Sequence, residues 1–176
     1  MTYLIVGLGN PGEDYEGTRH NVGRELVEYL RDKAELSGLK YFIPDQFMNS
    51  SGRDIGKLVK TKSAAERMVV IHDDLDLPLG TFKMSFNKGP GGHRGVLSVM
   101  KAVKTEAFVR IRIGVSPATP KGKVKKPSGE DAVIKFILGK FKPAEQKIVT
   151  GLRKKIKEAL VVLVEEGRDK AMSLQY

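Results

Sequence analysis

The chain has 176 residues, no cysteine, 40% hydrophobic and 30% charged residues, and a formal net charge of +10 at pH 7. That length predicts a single domain and excludes a dinucleotide-binding domain joined to a separate substrate domain. The lack of cysteine excludes disulfides, thiolate catalysis and cysteine-ligated zinc, and it favours the reducing cytoplasm. No apolar run approaches the roughly 18 residues of a membrane span, and no signal-peptide pattern is visible, so we expect no membrane association.

The positive charge is concentrated in the C-terminal half of the chain. Residues 101–160 contain sixteen Lys and Arg against five acidic residues, an excess of eleven positive charges. This clustering favours a surface that binds a polyanion, with nucleic acid as the favoured ligand. A lysine-rich solvated surface would have the same composition, so charge alone leaves both interpretations open.

The first motif is the stretch GLGNPG at residues 7–12, which follows a strand-like apolar run at 3–6. Its spacing fits the G-x-G-x-x-G fingerprint of dinucleotide-binding proteins, but that fingerprint binds a pyrophosphate only if its third glycine opens a helix. Residues 13–21 show no helical apolar period and include three acidic residues that would repel a pyrophosphate. We therefore expect no dinucleotide at this turn.

Hydrophobic periodicity predicts helices and strands in alternation along the rest of the chain. Helices are predicted from Val22, Leu26, Val27, Leu30 and Ala34, with an end at Gly38; from Ser50 or Ser51 through Ile55, Leu58 and Val59; from Val96, Val99, Met100 and Val103; and from Pro143 through Ile148, Leu152, Ile156, Leu160, Leu163 and Val164 to Gly167. Strands are predicted at 41–43, at 68–71 with both faces covered, and at 82–86 and 109–115 with one face buried. The alternation indicates an α/β sheet with helices on its faces.

The segment 116–129 breaks this alternation. It contains three prolines, two glycines and four lysines without an apolar period. We interpret it as a mobile basic loop and a candidate lid.

The three histidines, His20, His72 and His93, all lie in polar stretches that we interpret as loops. Ligands of open α/β sheets bind beyond the carboxyl ends of the strands, which would place His20 near the acidic residues of 72–76. A histidine that is hydrogen-bonded to a carboxylate is a candidate general base, because the carboxylate fixes the tautomer and stabilises the imidazolium. A surface histidine beside unrelated acids is the alternative.

Other reaction chemistries have little support in the sequence. Residues 72–80 lack the rhythm of a calcium-binding EF-hand loop, and neither an H-E-x-x-H zinc motif nor a G-x-S-x-G nucleophile elbow is present. We therefore expect no metal and favour water, activated by histidine, as the attacking group. Asn10 and Asn49 could hold water or donate to an oxyanion, although capping of a local turn is the commoner role of asparagine. Four arginines suit phosphate binding unless they are simply solvated: Arg19, Arg94, Arg110 and Arg112.

Six blocks, in this order, resemble the bacterial-type peptidyl-tRNA hydrolases: 7–12 with Tyr15, 18–21, 47–52, 72–80, 91–95 and 110–114. The resemblance covers nearly the whole chain. It implies one α/β domain over residues 1–176 with a mixed, twisted sheet flanked by helices. It also implies hydrolysis of the ester between a peptide and the 3′ end of tRNA, without metal or cofactor, by a cytoplasmic monomer.

The resemblance implies roles for individual residues by their position in these blocks. His20 resembles the catalytic base and Asp73 its orienting partner, and Asn10 and Asn49 resemble amides that position peptide and water. Tyr15 and Met48 resemble residues that line the channel. Arg112 resembles a basic residue that contacts tRNA phosphate.

The sequence departs from the family pattern at three places. Arg94 stands where the family usually has the asparagine of G-G-H-N-G, an amide that takes part in binding the substrate. The chain is shorter than usual between the first helix and Phe47, and Ser85 takes the place of a common lysine. The alternative function is a catalytically silent RNA-binding protein of the same fold, but the presence of His20 and Asp73 favours catalysis.

Overall fold

The computed structural model describes residues 2–33 and 36–174. The strands are β1 (Tyr3–Gly7), β2 (Leu39–Phe42), β3 (Met68–Pro78), β4 (Phe82–Phe86) and β5 (Val109–Ser116). The α-helices are α1 (Val22–Lys33), α2 (Gly52–Leu58), α3 (Lys62–Glu66), α4 (Arg94–Val103), α5 (Glu130–Ile137), α6 (Pro143–Glu165) and α7 (Arg168–Ser173). Short 3-10 helices lie at Glu13–Tyr15, Arg19–Asn21 and Met48–Ser50.

The strands form one five-stranded sheet in the order β2-β1-β3-β5-β4. All neighbouring pairs are parallel except β4 and β5, which are antiparallel. The predicted α/β fold with a mixed sheet flanked by helices is therefore confirmed. The central strands β1, β3 and β5 all point the same way, so their carboxyl ends lie along one edge of the sheet.

Each face of the sheet packs against its own set of helices. Alternate residues of β1, β3 and β5 form one core with α1 and α6, which includes Ile5, Ile71 and Ile111. The opposite face of β1 and β3 packs against α2 and α4 in a second core, which includes Val6 and Val70. Further along β3 and β5 this second face carries His72, Asp74, Arg110 and Arg112, which line a large cavity.

Most of the predicted elements are confirmed, and several details are corrected. The predicted helix residue Ala34 lies outside the described residues. Leu58 and Ile148 were assigned to apolar helix faces, but their side chains are 53% and 48% exposed. β5 was expected to bury one face, yet Arg110, Gly114 and Ser116 on its other face are also buried. Helices α3, α5 and α7 were not predicted.

The prediction that His72 lies in a loop is wrong. The buried run 68–71 is a strand covered on both faces, as predicted, but β3 continues to Pro78 and includes His72 and Asp73. The basic loop also begins later than predicted, because Ser116 ends β5 and donates a 2.7 Å hydrogen bond to the carbonyl of Leu75. The loop is therefore 117–129.

Two glycines explain how the N-terminal segment reaches the sheet. Gly12 precedes the 3-10 helix Glu13–Tyr15, so the glycine turn does not open an α-helix and lacks the geometry of a dinucleotide fingerprint. Gly23 in the first turn of α1 packs directly on β3, where a Cβ atom would collide with the carbonyl oxygen of Ile71. This close approach brings the residues just before α1 next to the second half of β3.

Within the described residues, no helix combines the length and the apolar character that crossing a bilayer requires.

Candidate active site

A cavity of about 1070 Å³ opens at the carboxyl ends of the parallel strands. Its floor is formed by residues that follow β1, residues in the second half of β3, and the arginines of β5. The glycine-rich loop before α4 forms one side, and α5 forms another. This is the position at which ligands bind in open α/β sheets.

His20 and Asp73 meet in this cavity, as predicted. The Nδ1 atom of His20 lies 2.9 Å from Oδ1 and 3.0 Å from Oδ2 of Asp73. Both residues are buried, His20 on the 3-10 helix before α1 and Asp73 within β3. With Nδ1 donating to the carboxylate, the Nε2 atom of His20 is the lone-pair nitrogen, and no described residue forms a hydrogen bond to it. His20 also lines the cavity, so this geometry suits a general base.

Asp73 also accepts a hydrogen bond from His93. The Nε2 atom of His93 lies 2.9 Å from Oδ1 of Asp73, while its Nδ1 accepts the backbone N–H of Val96 at 3.2 Å and caps α4. Since Nδ1 accepts, the proton must be on Nε2, which donates to the carboxylate. One buried carboxylate therefore orients two imidazoles whose ring centres are 5.0 Å apart.

His72 completes a row of three imidazoles. Its ring packs edge-to-face against His93, with centres 4.6 Å apart, and its Nδ1 donates to the carbonyl of Asp73 at 2.7 Å. Its Nε2 is buried and has no hydrogen-bond partner among the described residues. The ring contact and the hydrogen bond fix the His72 side chain beside His93.

Burial and charge move the pKa values of these groups in different directions. Burial lowers the pKa of His20, but the charge and the hydrogen bond of Asp73 together raise it by more than burial lowers it. The net shift of the His20 pKa is therefore upward. Burial raises the pKa of Asp73, but the two histidines bring it well below its usual range. The pKa of His72 is well below its usual range because the ring is buried and His93 lies beside it. At neutral pH the Asp73 carboxyl is therefore ionised and the His72 ring is neutral.

The residue types that meet here are also those that bind metal ions. His20, Asp73 and His93 each offer one ligand atom, and these atoms lie within 4.8 Å of one another. However, both facing nitrogens carry the protons that bond to Asp73, as the hydrogen bond from Val96 requires for His93. In this protonation state neither nitrogen offers a lone pair to a cation. The donor set fits an organised hydrogen-bond network better than a metal centre.

Asn10 is held in place by its neighbours on both sides. Its backbone N–H donates to Oδ1 of Asn21 at 2.8 Å, and its carbonyl accepts Nδ2 of Asn21 at 2.9 Å. Its side-chain Oδ1 accepts the backbone N–H of Met48 at 2.8 Å. The Nδ2 atom is left as a donor with no hydrogen-bond partner among the described residues, in a side chain that lines the cavity.

The predicted channel residues lie around Met48. Met48 is buried and lines the cavity, and Asn49 beside it is exposed there. Gly95 makes room for Met48, because a Cβ atom at position 95 would collide with the Met48 sulfur. Tyr15 does not line the cavity itself but packs edge-to-face on Phe47, with ring centres 5.9 Å apart, and Phe47 does line it.

Two of the four candidate arginines have structural roles. Arg19 is buried, donates to the carbonyls of Gly139 and Lys140 at 3.2 and 3.3 Å, and pairs with Glu145 at 2.9 Å. Arg110 is buried beneath the glycine-rich loop and donates to the carbonyls of Lys88 and Gly89 at 3.3 and 2.8 Å. Arg19 is therefore not free to bind phosphate, and Arg110 supports the loop.

The other two arginines form ion pairs beside the cavity. Arg112 is half-buried and its Nη1 lies 3.0 Å from Oδ2 of Asp74. Arg94 is 59% exposed and pairs with Glu130 at the start of α5. Lys126, from the basic loop, forms a similar exposed pair with Asp76. These three cations line the cavity, and each is paired with a carboxylate that an anionic ligand would have to displace.

Three residues of the site had no role assigned from the sequence. His93, His72 and Asn21 lie inside the motif blocks, but nothing in their spacing shows that His93 shares Asp73 or that Asn21 holds Asn10. The sequence offered one signal for the two histidines: the chain has only three histidines, and all three lie in polar stretches.

The fold and the site define an α/β protein with a buried, hydrogen-bonded histidine–carboxylate pair in a large cavity at the carboxyl ends of its parallel strands. The family model described as peptidyl-tRNA hydrolase matches residues 4–175. The chain belongs to the peptidyl-tRNA hydrolase family.

Individual relatives agree with this assignment. The chain is 37% identical to the peptidyl-tRNA hydrolase of Aquifex aeolicus, in an alignment that covers 96% of this chain and 93% of the relative. It is 36% identical to the peptidyl-tRNA hydrolase of Mycobacterium tuberculosis, over 97% of this chain and 95% of the relative. The crystal structure of peptidyl-tRNA hydrolase from Acinetobacter baumannii superimposes with a TM-score of 0.84 at 29% identity, covering 98% of this chain and 93% of that chain.

Proposed function

We propose that this chain hydrolyses the ester bond of peptidyl-tRNA with a water molecule that His20 activates. Membership of the peptidyl-tRNA hydrolase family supports the reaction, and the His20–Asp73 hydrogen bond is the single observation that carries the mechanism. An ester has a better leaving group than an amide, so an activated water and a polarised carbonyl suffice without a covalent intermediate.

The proton steps follow from the orientation of the imidazole. His20 Nε2 takes a proton from water as the water oxygen attacks the carbonyl carbon of the ester. The charge of Asp73 stabilises the imidazolium that forms. When the tetrahedral intermediate collapses, Nε2 returns the proton to the 3′ oxygen of the ribose, which leaves as a hydroxyl. The products are a peptide carboxylate and free tRNA.

Asn10, Asn49 and Met48 position the substrate in this proposal. The hydrogen bond from Met48 to Oδ1 of Asn10 leaves the Asn10 amide N–H group as a donor toward water or the developing oxyanion. The exposed amide of Asn49 is assigned to the peptide backbone. Met48 and Phe47 form the channel wall, and Tyr15 supports Phe47 through the edge-to-face ring contact.

The basic half of the chain is assigned to tRNA. Arg112 and Lys126 lie at the cavity with acidic partners that a phosphate could displace, and so does Arg94, which takes the position of an amide in the family. Beyond the cavity, α6 carries a run of lysines and one arginine that includes Lys147, Arg153, Lys154, Lys155 and Lys157. This arrangement supports salt-dependent binding of a polyanion whose 3′ end enters the cavity.

The side chains that the mechanism uses line one cavity of one polypeptide: Asn10, His20, Met48, Asn49 and Asp73. We therefore propose a monomer as the active form. A substrate made during translation places its site of action in the cytoplasm. The loop 117–129, whose Lys126 lines the cavity and pairs with Asp76 of β3, is proposed as a mobile lid.

The test is release of N-acetylated amino acid from N-acetyl-aminoacyl-tRNA in the presence of EDTA, with His20→Ala measured beside the native chain. We expect cleavage in EDTA, and a loss of roughly 10²–10⁴-fold in the variant with tRNA affinity nearly unchanged. Retained tRNA binding without cleavage by the native chain would instead establish the silent RNA-binding protein, and Arg94→Asn would then be the reversion to test.

A further inference from the structure

The helix α5 is an amphipathic element without a buried residue. Three of its apolar side chains, Val133, Ile134 and Ile137, line the cavity, as does Leu138 just beyond its end. Ile134 and Leu138 are 37% and 40% exposed. The positions 130, 133, 134 and 137 follow helical spacing, so these side chains share one face with Glu130.

Both ends of α5 are held by the residues next to His20 and His93 in the chain. At its amino end, Glu130 pairs with Arg94, the residue after His93. At its carboxyl end, Arg19, the residue before His20, donates to the carbonyls of Phe136 and Gly139 at 3.4 and 3.2 Å. The guanidinium of Arg19 also lies 4.4 Å from the centre of the Phe136 ring. An eight-residue helix is about 12 Å long, so α5 passes across the catalytic cluster with its apolar face toward the cavity.

A second apolar wall comes from the segment before α2. Phe47 is 58% exposed and Met48 is buried, and both line the same cavity. The lining of the cavity thus combines apolar side chains from two separate elements with the cations Arg94, Arg112 and Lys126. Exposed apolar surface that is continuous with a catalytic site indicates a ligand with apolar groups.

We propose that the face of α5 formed by Val133, Ile134, Ile137 and Leu138 binds the side chain of the amino acid that carries the ester, and that it selects apolar side chains. The inference rests on the proposed function, because it takes the peptide as the group that enters the cavity. Charge complementarity assigns the two parts of the substrate. The phosphates of tRNA face the cations that line the cavity, and the uncharged peptide end faces the apolar walls.

The experiment compares substrates that differ only in one side chain. N-acetyl-phenylalanine, N-acetyl-leucine, N-acetyl-glycine and N-acetyl-aspartate are each attached to the same tRNA, so every contact to tRNA cancels in a ratio of rates. We expect kcat/KM for the phenylalanine and leucine esters to exceed that for the glycine and aspartate esters by roughly tenfold.

Two variants of Ile134 locate the preference on α5. Ile134→Asn reduces the phenylalanine-to-glycine ratio to about one, whereas Ile134→Lys raises the aspartate-to-glycine ratio, because a cation then faces the carboxylate. Leu97→Asn is the matched control, since Leu97 is 40% exposed on α4 and does not line the cavity. It leaves all the ratios unchanged.

Binding of non-hydrolysable analogues separates this inference from the proposed function. The same four N-acetylated amino acids are joined to the 3′ position of 3′-amino-3′-deoxyadenosine by an amide, and their dissociation constants are measured. A tenfold preference for phenylalanine that Ile134→Asn removes would support the inference even if no ester were cleaved. Equal binding of all four analogues would overturn it, while cleavage of the esters would still support the proposed function. The inference would also be overturned if the affinity lost in Ile134→Asn depended on the terminal adenine of the analogue and not on its amino-acid side chain. That result would assign α5 to the base.

Discussion

Asn21 holds the main chain of Asn10 through two hydrogen bonds, one to the amide and one to the carbonyl, of 2.8 and 2.9 Å. Both residues are buried, so neither bond is readily replaced by water. Asn21 directly precedes α1, whose first turn packs on β3. It therefore connects the glycine turn after β1 to the segment that carries His20. The position of the Asn10 amide in the cavity depends on this contact.

Replacing Asn21 with alanine should loosen Asn10 without removing any group that touches the substrate. The free energy of unfolding should fall by about 1–3 kcal/mol, because two buried backbone groups of Asn10 lose their partners. We expect kcat to fall while the affinity for tRNA stays the same, and chemical denaturation beside single-turnover kinetics would measure both. A variant that is less stable but fully active at low temperature would show that Asn10 is positioned by Met48 alone.

The pH dependence of kcat/KM should report the His20–Asp73 pair. A general base must be neutral, and the pKa of His20 is raised because Asp73 more than offsets its burial. Activity should therefore fall with decreasing pH through a pKa above the ordinary value for imidazole.

Asp73→Asn provides the matched change. Loss of the charge leaves burial as the main influence on His20, so the pKa moves down and the acid limb shifts to lower pH. The plateau should fall by roughly 10²–10⁴-fold, because the tautomer is no longer fixed. An acid limb that stays in place in Asp73→Asn would mean that another group controls it.

The sequence was sufficient to place His20 and Asp73 together, because both belong to segments that end or follow parallel strands of one sheet. Alternation of apolar residues also predicted β4 and β5. The same reasoning failed for His72, since a strand that carries His-Asp-Asp-Leu-Asp has the composition of a loop. Only the register of β3 on β5, which pairs His72 with Arg112, shows that the strand continues.

The roles of Arg19 and α5 could not be predicted in this way. The carbonyls that hold the Arg19 guanidinium lie 117 or more positions further along the chain, and no local pattern identifies them. The α5 segment follows a lysine- and proline-rich stretch and buries no residue completely, so its apolar spacing did not stand out. The apolar face of α5 lines the cavity, and the cavity forms only when distant parts of the chain come together.

Arg112 provides a test of tRNA binding. Its guanidinium is paired with Asp74 at 3.0 Å, so phosphate must compete with that carboxylate. Arg112→Ala should weaken tRNA binding and reduce the slope of log Kd against log salt by about one unit. Asp74→Asn should act in the opposite direction, because it frees the cation. Lys62→Ala on α3, which does not line the cavity, is the control, and unchanged slopes in both Arg112 and Asp74 variants would exclude Arg112 from the phosphate contacts.

Stability should depend on pH through His72. Burial and the neighbouring His93 keep the pKa of His72 well below its usual range in the folded state, whereas the unfolded chain titrates with the ordinary value of about 6.5. The stabilising contribution of the neutral ring is therefore complete above about pH 6.5 and decreases as pH falls, because the unfolded state then binds a proton that the folded state does not. The decrease should approach about 1.4 kcal/mol per pH unit.

His72→Asn removes this term while keeping a side chain that can donate to the carbonyl of Asp73. The variant should be less stable at every pH because asparagine fills less space than histidine. The slope of its free energy of unfolding with pH should be smaller, because unfolding of the variant takes up nearly one proton fewer. Denaturant titrations of both proteins between about pH 5 and pH 8 measure the difference in slope. His20 contributes with the opposite sign, since its raised pKa adds stability at low pH that is lost as pH rises. Because both proteins contain His20, its contribution cancels in the difference between their unfolding free energies. Identical slopes for the native chain and the variant would show that His72 becomes protonated in the folded state, with its unpartnered Nε2 open to solvent.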